Sequence, residues 1–252
     1  MGMNNPPAGG GGSPGGTNGQ LQYNNSGSFG GLPVVANSAG QITLIGGTTT
    51  NAPLIWPAGT LNTTVQLGAM EFDGLALYFA MKLLTRQVVT TKQIEVLSAN
   101  HTLVSQTAAQ ALLDATTNGA ITLPVGTYRF RCYFALAILT NGASSFGFAF
   151  GGTATRTEAW TAHALKAVTL SAAVAANTSL TFNTAANTTL TNAGNGTNGI
   201  ATIEGTVRIT VTGTLIPQVS QIGASAAVVQ ANSFFEIEPI GAAAVTTVGN
   251  WS

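Results

Sequence analysis

Side chains that carry charge are scarce in this sequence. Its 252 residues include only 8 Lys and Arg, 8 Asp and Glu and 2 His, so charged residues make up 6% of the chain, against about 25% in a typical soluble domain. Catalytic acids, bases and metal ligands come mainly from these residue types, so their scarcity argues against an enzyme. A net charge of zero favours association between copies. We therefore expect a non-enzymatic protein that assembles with itself.

Basic clusters, long apolar runs and paired cysteines are also missing. No run of Lys and Arg could neutralise nucleic-acid phosphates, and no run of about 20 apolar residues could insert into a membrane, so neither partner is expected. Cys132 is the single cysteine, which excludes an intramolecular disulfide. Residues 1–5 resemble no signal peptide, and export by that route is not expected.

Composition divides the chain into three segments. Residues 1–31 are dominated by Gly, Asn, Ser and Pro, which predicts a flexible arm that a partner would order. Residues 32–87 contain short apolar clusters such as Ile42–Ile45 and Ala52–Ile55. Each cluster has the length of a strand, but together they are too few to build a core. We expect neighbouring chains, three around one axis, to complete this β shaft or neck.

Residues 88–252 have the clearest period-two pattern, and we expect an antiparallel jelly-roll head with a C-terminal tail. Alternating apolar residues predict a strand with one buried face at Tyr128, Phe130, Cys132, Phe134 and Leu136. The opposite face begins with Arg129 and Arg131 and becomes apolar at Tyr133, so we expect another subunit to cover part of it. Residues 201–212 repeat the pattern, with Glu204 and Arg208 outward.

Further strands are less clearly marked. They are predicted at 93–97, 103–113, 121–123, 146–150, 215–219 and 233–240. Residues 157–177 could also form a helical stripe, but strand and loop are preferred because β-branched Thr recurs there. Residues 177–199 consist almost wholly of Thr, Asn, Ala and Gly, which predicts a long exposed loop.

Several phrases carry a family resemblance. They are residues 15–31, 59–61, 68–74 and 77–79 and, in the head, 126–134, 204–208, 213–218 and 233–241. These phrases resemble bacteriophage virion fibre and spike proteins that end in a trimeric jelly roll similar to the complement C1q and tumour-necrosis-factor domains. The resemblance implies a homotrimer on the virion, assembled in the bacterial host cytoplasm. The arm would bind other virion proteins, and the head would decorate the capsid or contact a host-surface glycan.

Two other functions stay open beside this one: a free C1q-like module that binds glycan or protein, and a depolymerase tail spike. Residues 10–15 match the letters of a dinucleotide-binding G-x-G-x-x-G loop, but no strand precedes them and no helix follows. A linker is the preferred interpretation, and no cofactor is expected.

A nucleophilic site would need Ser or Cys132, a histidine such as His101 or His163, and an acid such as Asp73 or Asp114. Cys132 lies on the inward face of its predicted strand, so we interpret it as a core residue. The two histidines are far apart in sequence and share no motif with it. Each is interpreted as an ordinary loop or surface residue.

Two carboxylate pairs have the i, i+2 spacing that places both side chains on one face of a strand: Glu71 with Asp73, and Glu236 with Glu238. Such pairs could serve a glycosidase, or bind a cation such as Ca²⁺ on a threefold axis. The preferred interpretation is that they are solvated or paired with the head arginines, Arg129, Arg131 and Arg208. No catalytic, cofactor-binding or metal-ligating residue is therefore assigned.

Three phenylalanines alternate at Phe146, Phe148 and Phe150. A core or intersubunit strand is the preferred interpretation, and an exposed aromatic platform for a sugar is the alternative.

Overall fold

The computed structural model describes residues 20–25, 28–36, 39, 41–44, 46–82, 85–89, 91–104, 106–113, 119–137, 145–167, 179–183, 188–189, 197–222, 227–245 and 247. Within these residues the regular structure is antiparallel β-sheet, and they contain no α-helix. The predicted all-β class is confirmed. No helix in the described part of the chain could cross a membrane.

The chain divides into two compact units, Met1–Pro57 and Ala58–Ser252. The division falls inside the predicted shaft, and the three-part organisation expected from composition stays a prediction. The first unit contains a three-stranded sheet in the order β1-β2-β3. Its strands are β1 Gln20–Asn25, β2 Ser28–Ala36 and β3 Ile42–Thr43.

The hairpin of β1 and β2 begins inside the segment predicted as a flexible arm. Asn25 lies opposite Ser28, and Gln20 lies opposite Val35. Leu21, Tyr23 and Phe29 suit strands, although the surrounding composition is that of a linker. Residues 1–19 lie outside the described residues, so the arm itself stays a prediction.

The cluster Ala52–Ile55 forms no strand within one chain, and its completion by neighbouring chains stays a prediction. These residues have no regular structure, and Ile55 is 74% exposed. A strand needs a neighbour to receive its backbone hydrogen bonds. None of the described strands lies beside this cluster.

The second unit begins with a small sheet in the order β4-β5-β6. Its strands are β4 Met70–Phe72, β5 Leu77–Lys82 and β6 Thr85–Val89. The remaining strands form two larger sheets. They are β7 Gln93–Val96, β8 His101–Thr102, β9 Gln106–Ala111, β10 Ile121–Leu123, β11 Gly126–Ala137, β12 Ser145–Gly151, β13 Thr155–Ala167, β14 Ser179–Asn183, β15 Thr188–Thr189, β16 Asn198–Val211, β17 Gly213–Ile222, β18 Val228–Val229 and β19 Phe234–Gly241.

The eight-stranded sheet runs β14-β13-β16-β11 and continues with β18 and β19, which pair with successive parts of β11. Strands β8 and β7 pair with β18 and β19. The five-stranded sheet runs from β9 and β10 through β17 and β12 to β15.

Aromatic rings join the two larger sheets. Phe130 of β11 contacts Phe150 of β12 edge to face, with 4.8 Å between ring centroids, and Phe148 contacts Trp160 of β13 at 5.3 Å. The inward residues of β11 are all buried, as the period-two pattern predicts. Two sheets that face each other across one core are compatible with a β-sandwich.

Residues 157–177, for which a helix was the alternative, form a strand as far as Ala167, because β13 pairs with β16 along its length. Residues 168–177 lie outside the described residues. The predicted loop at 177–199 is partly wrong, since β14 and β15 lie within it. In β14, Leu180 lies opposite His163. The edge of β13 offers backbone hydrogen bonds that composition does not reveal.

Candidate binding surfaces

Charged side chains meet on the outer face of the eight-stranded sheet. Arg131 of β11 lies opposite Glu204 of β16 on one side and Glu236 of β19 on the other. Arg129, two residues earlier, lies opposite Glu238. Since alternate residues of a strand share a face, these side chains form two adjacent rows across the sheet.

The rows line a cavity of about 560 Å³. The chain has 8 basic and 8 acidic residues, and six of these charged residues line the cavity. They are Lys92, Arg129, Arg131, Glu204, Glu236 and Glu238. We call this cavity the charged groove. Its three positive and three negative residues balance, but the charge is concentrated in one place.

Two ion pairs form in the charged groove. Lys92 Nζ lies 3.2 Å from Glu236 Oε1, and Arg129 pairs with Glu238 Oε1. The Glu238 side chain is only 4% exposed, whereas that of Arg129 is 63% exposed. The second carboxylate oxygen of Glu238, Oε2, is buried and has no hydrogen-bond partner among the residues that the structure describes.

The other two charged residues of the groove are unpaired. Arg131 and Glu204 are exposed and lie opposite each other in the ladder, yet neither forms an ion pair with any described residue. The expectation that arginine pairs with the Glu236–Glu238 carboxylates is confirmed for Arg129 only. Sequence reasoning missed Lys92, for which the sequence carries no signal.

An aromatic pair lies beside the groove in the next row of the same face. Tyr133 stacks on Phe234 with 5.9 Å between ring centroids and 20° between ring planes. Both residues are half-buried. Part of the apolar end of β11 is thus covered by its own chain, and cover from another subunit stays a prediction.

Arg208 forms no ion pair with a carboxylate of the described residues. Its guanidinium donates hydrogen bonds to the backbone oxygens of Ala243 and, at 3.0 Å, of Val245. Thr127 Oγ1 donates to Ala242 O at 2.9 Å. These contacts hold the segment after β19 against the outer face of the sheet.

Glu71 has a structural role. Arg86 Nε donates to its Oε2 at 2.6 Å, and the backbone N–H of Asn62 donates to its Oε1 at 2.6 Å. The hydrogen bond from Arg86, followed by that from Asn62, lowers the pKa of Glu71. The partner of Glu71 is therefore Arg86, and the expected pairing with a head arginine is wrong.

Asp73 holds the turn between β4 and β5. Its Oδ1 accepts the backbone N–H groups of Leu75 at 2.8 Å and Ala76 at 2.7 Å, and its Oδ2 accepts the Tyr78 hydroxyl at 3.0 Å. Burial, followed by this hydrogen bond, raises the pKa of Tyr78 well above its ordinary value. Glu71 and Asp73 are thus bound to different partners.

The described residues do not bring Cys132, a histidine and an acid together into a nucleophilic site. Cys132 is buried, and burial raises the pKa of its thiol, as its interpretation as a core residue requires. His163 lies on the outer face, exposed, and His101 lies in β8. Asp114 lies outside the described residues. Phe146, Phe148 and Phe150 are buried in the core, so the aromatic-platform alternative is wrong for them.

A second surface lies on the small sheet and is apolar. Its side chains share one face because Met70 lies opposite Phe79, Phe72 opposite Leu77, and Leu77 opposite Val89. We call it the apolar face; its apolar residues are Met70, Phe72, Leu77, Phe79, Met81 and Val89, and the uncharged Gln87, opposite Phe79, lies among them. None of them is buried, and Met81 is 66% exposed. The opposite face is buried at Ala76, Tyr78 and Ala80.

A metal site is not formed by the described residues of one chain, which contain no suitable group of three His, Cys, Asp or Glu. A cation shared by three chains stays a prediction. Comparison with known protein families and with curated proteins found no match to this chain.

Proposed function

We propose that this chain is a structural subunit of a bacteriophage particle, a homotrimeric fibre or spike with a jelly-roll head, and not an enzyme. The observation that carries the proposal is the apolar face of the β4-β5-β6 sheet. A three-stranded sheet normally buries one face and leaves the other polar. Here one face is buried by the chain itself and the other still presents six large apolar side chains.

The free energy available from this face is substantial. Complete burial of a large apolar side chain contributes about 1.5–3 kcal/mol. Three of these side chains, Phe72, Leu77 and Phe79, are already partly buried, so about 1 kcal/mol each is a conservative gain on assembly. Six of them would contribute on the order of 6 kcal/mol per chain, which supports stable association once further contacts are added.

A second copy of the chain is the partner that fits the apolar face best. The face carries no charge, so it selects a partner by shape and apolar area rather than by electrostatic complementarity. Most soluble assemblies are symmetric homo-oligomers, and a nearly uncharged chain meets little repulsion from its own copies. In the part of the chain that is described, β6 pairs only with β5, so its outer edge can also accept a neighbour.

The threefold number and the phage assignment rest on the sequence phrases that resemble fibre and spike proteins. They also imply the remaining parts of the proposal. The arm binds other virion proteins, and the assembled head decorates the particle or adheres to the host surface. Three weak sites on one head gain strength through effective concentration.

The structural roles of the candidate catalytic groups favour this proposal over a depolymerase. Glu71 is bound by Arg86, Asp73 holds a turn, and Cys132 lies in the core. Polysaccharide hydrolysis that is lost in Glu236→Gln would favour the enzyme instead.

The mass of the purified chain in solution tests the proposal. Sedimentation equilibrium or native mass spectrometry should give three times the 25.4 kDa of the chain. A folded monomer would contradict the fibre and favour a free C1q-like module. Antibody labelling of the particle, viewed by electron microscopy, should place the trimer on the virion.

A further inference from the structure

The buried oxygen of Glu238 lacks a partner that its surroundings ought to supply. Buried polar atoms in native proteins are almost always hydrogen-bonded, and an exception requires an explanation. Glu238 lines the charged groove, and its Oε2 is the unpartnered atom. A donor that enters the groove would satisfy it.

The ion pair with Arg129 limits which kind of hydrogen-bond donor can bind Glu238 Oε2. Arg129 already neutralises the Glu238 carboxylate, so the second oxygen needs a hydrogen bond rather than another positive charge. Because the Glu238 side chain is 4% exposed, the donor must also be small. A hydroxyl group meets both conditions.

The unpaired residues of the groove specify the rest of the ligand. Arg131 presents a planar guanidinium with no ion-pair partner in the described chain, and such a group binds a carboxylate or phosphate through two parallel hydrogen bonds. Glu204, opposite Arg131 in the ladder, accepts hydrogen bonds from hydroxyls. The groove thus offers one site for an acidic group and two for hydroxyl donors.

The aromatic pair adds a flank suited to a sugar ring. Tyr133 and Phe234 lie on the same face, two residues from Arg131 and Glu236. Half-buried aromatic side chains next to a few placed polar groups are typical of ligand sites. The geometry points to a binding site for an acidic saccharide, whose hydroxyls bind Glu238 and Glu204 and whose carboxylate or phosphate binds Arg131.

This inference deepens the adhesive part of the proposed function and rests on it. A second copy of the chain would be the other occupant of the groove. The low exposure of the Glu238 side chain, 4%, favours the saccharide, since a small hydroxyl reaches such a carboxylate more easily than a flat protein surface does.

Titration calorimetry on the full chain tests the inference with three probes: trigalacturonic acid, its neutral counterpart galactotriose, and glucose 6-phosphate. At least one acidic probe should bind at millimolar concentration or below, at least tenfold more tightly than galactotriose. Which acidic probe binds distinguishes a carboxylate from a phosphate ligand. Absence of binding by both, or equal binding of galactotriose, would overturn the inference.

Variants assign the binding to the groove. Arg131→Gln should weaken it at least tenfold, and Arg131→Lys, which keeps the charge but loses the planar fork, should weaken it less. Glu204→Gln should also weaken it, and this exposed position does not endanger folding. Thr210→Ala, exposed on the same strand but outside the groove, is the control and should bind as the parent does.

The mass of each variant separates the two hypotheses. A trimer that binds neither acidic probe overturns the saccharide site and leaves the proposed assembly intact. A monomer that binds an acidic probe through Arg131 overturns the proposed assembly and leaves the saccharide site intact. If Arg131→Gln or Glu204→Gln lowers the mass, the groove is an interface between copies and the saccharide inference is wrong.

Discussion

Arg129 and Glu238 face each other across β11 and β19 and form an ion pair whose two members differ sharply in exposure. The carboxylate is 4% exposed and the guanidinium 63% exposed. Solvent weakens the pair from the arginine side, while the carboxylate depends on the arginine for charge compensation. The pair is therefore asymmetric, and removal of the arginine leaves a buried charge alone.

We expect Arg129→Ala to lower the free energy of unfolding by about 1–3 kcal/mol, because the buried carboxylate loses its partner. Urea denaturation followed by circular dichroism measures this change. Arg131→Ala removes a cation from the same strand that has no ion pair, and it should change stability by less than about 0.5 kcal/mol. Equal effects of the two substitutions would contradict the structural role of the Arg129–Glu238 pair.

A charged side chain on the apolar face should prevent association. Met81→Lys replaces a side chain that is 66% exposed, so each chain should still fold, but burial of the ammonium between copies would be costly. Sedimentation equilibrium should show a monomer. Val104→Lys changes an apolar residue of similar exposure, 63%, outside the apolar face and should leave the mass unchanged. A Met81→Lys trimer would show that this face is not the contact.

Tyr128 predicts loss of stability at alkaline pH. Its hydroxyl donates to Pro124 O at 2.8 Å, and burial raises the pKa of Tyr128 to about 12 from its ordinary value of 10.0. Between these values the unfolded chain releases a proton that the folded chain retains, so stability falls as pH rises. The loss should be on the order of 2–3 kcal/mol. Tyr128→Phe should lose less over this range, and an unchanged slope in this variant would contradict the assignment.

Glu71 predicts a loss of stability in acid. The hydrogen bond from Arg86 lowers its pKa below the ordinary value of 4.5, so the unfolded chain takes up a proton first as the pH falls. The stabilisation is complete above pH 4.5 and is lost below it. Thermal melting at pH 6 and pH 3 should show a smaller acid effect in Glu71→Gln than in the parent. An acid effect in Glu71→Gln equal to that of the parent would contradict this role of Glu71.

Much of the head could be predicted because alternation alone decides which side of a strand is buried. Alternation in the sequence predicts the inward-facing residues of β11, from Tyr128 to Leu136, and these residues form part of the hydrophobic core. The segment Ala52–Ile55 has no partner edge within its own chain, so its strand rests on the expected neighbouring copies. The loop predicted at 177–199 is partly wrong because composition does not reveal that β13 offers an edge to β14 and β12 offers one to β15.

The charged groove could be predicted only in part. The alternating pattern predicts that Arg129, Arg131 and Glu204 point outward. The i, i+2 spacing predicts that Glu236 and Glu238 share one face. The meeting of these side chains depends on the register of β11 with β16 and β19, strands distant in sequence. Lys92, which precedes β7, also lines the groove, and no local sequence pattern links it to Glu236.

The chemistry of the apolar face determines the conditions that a fibre built on it would tolerate. A contact between uncharged side chains is not screened by dissolved ions, so it holds in fresh water and in brine alike. Such contacts weaken on cooling and strengthen in the presence of excluded salts such as sulfate. A particle held together this way would be least secure in the cold, not in salt.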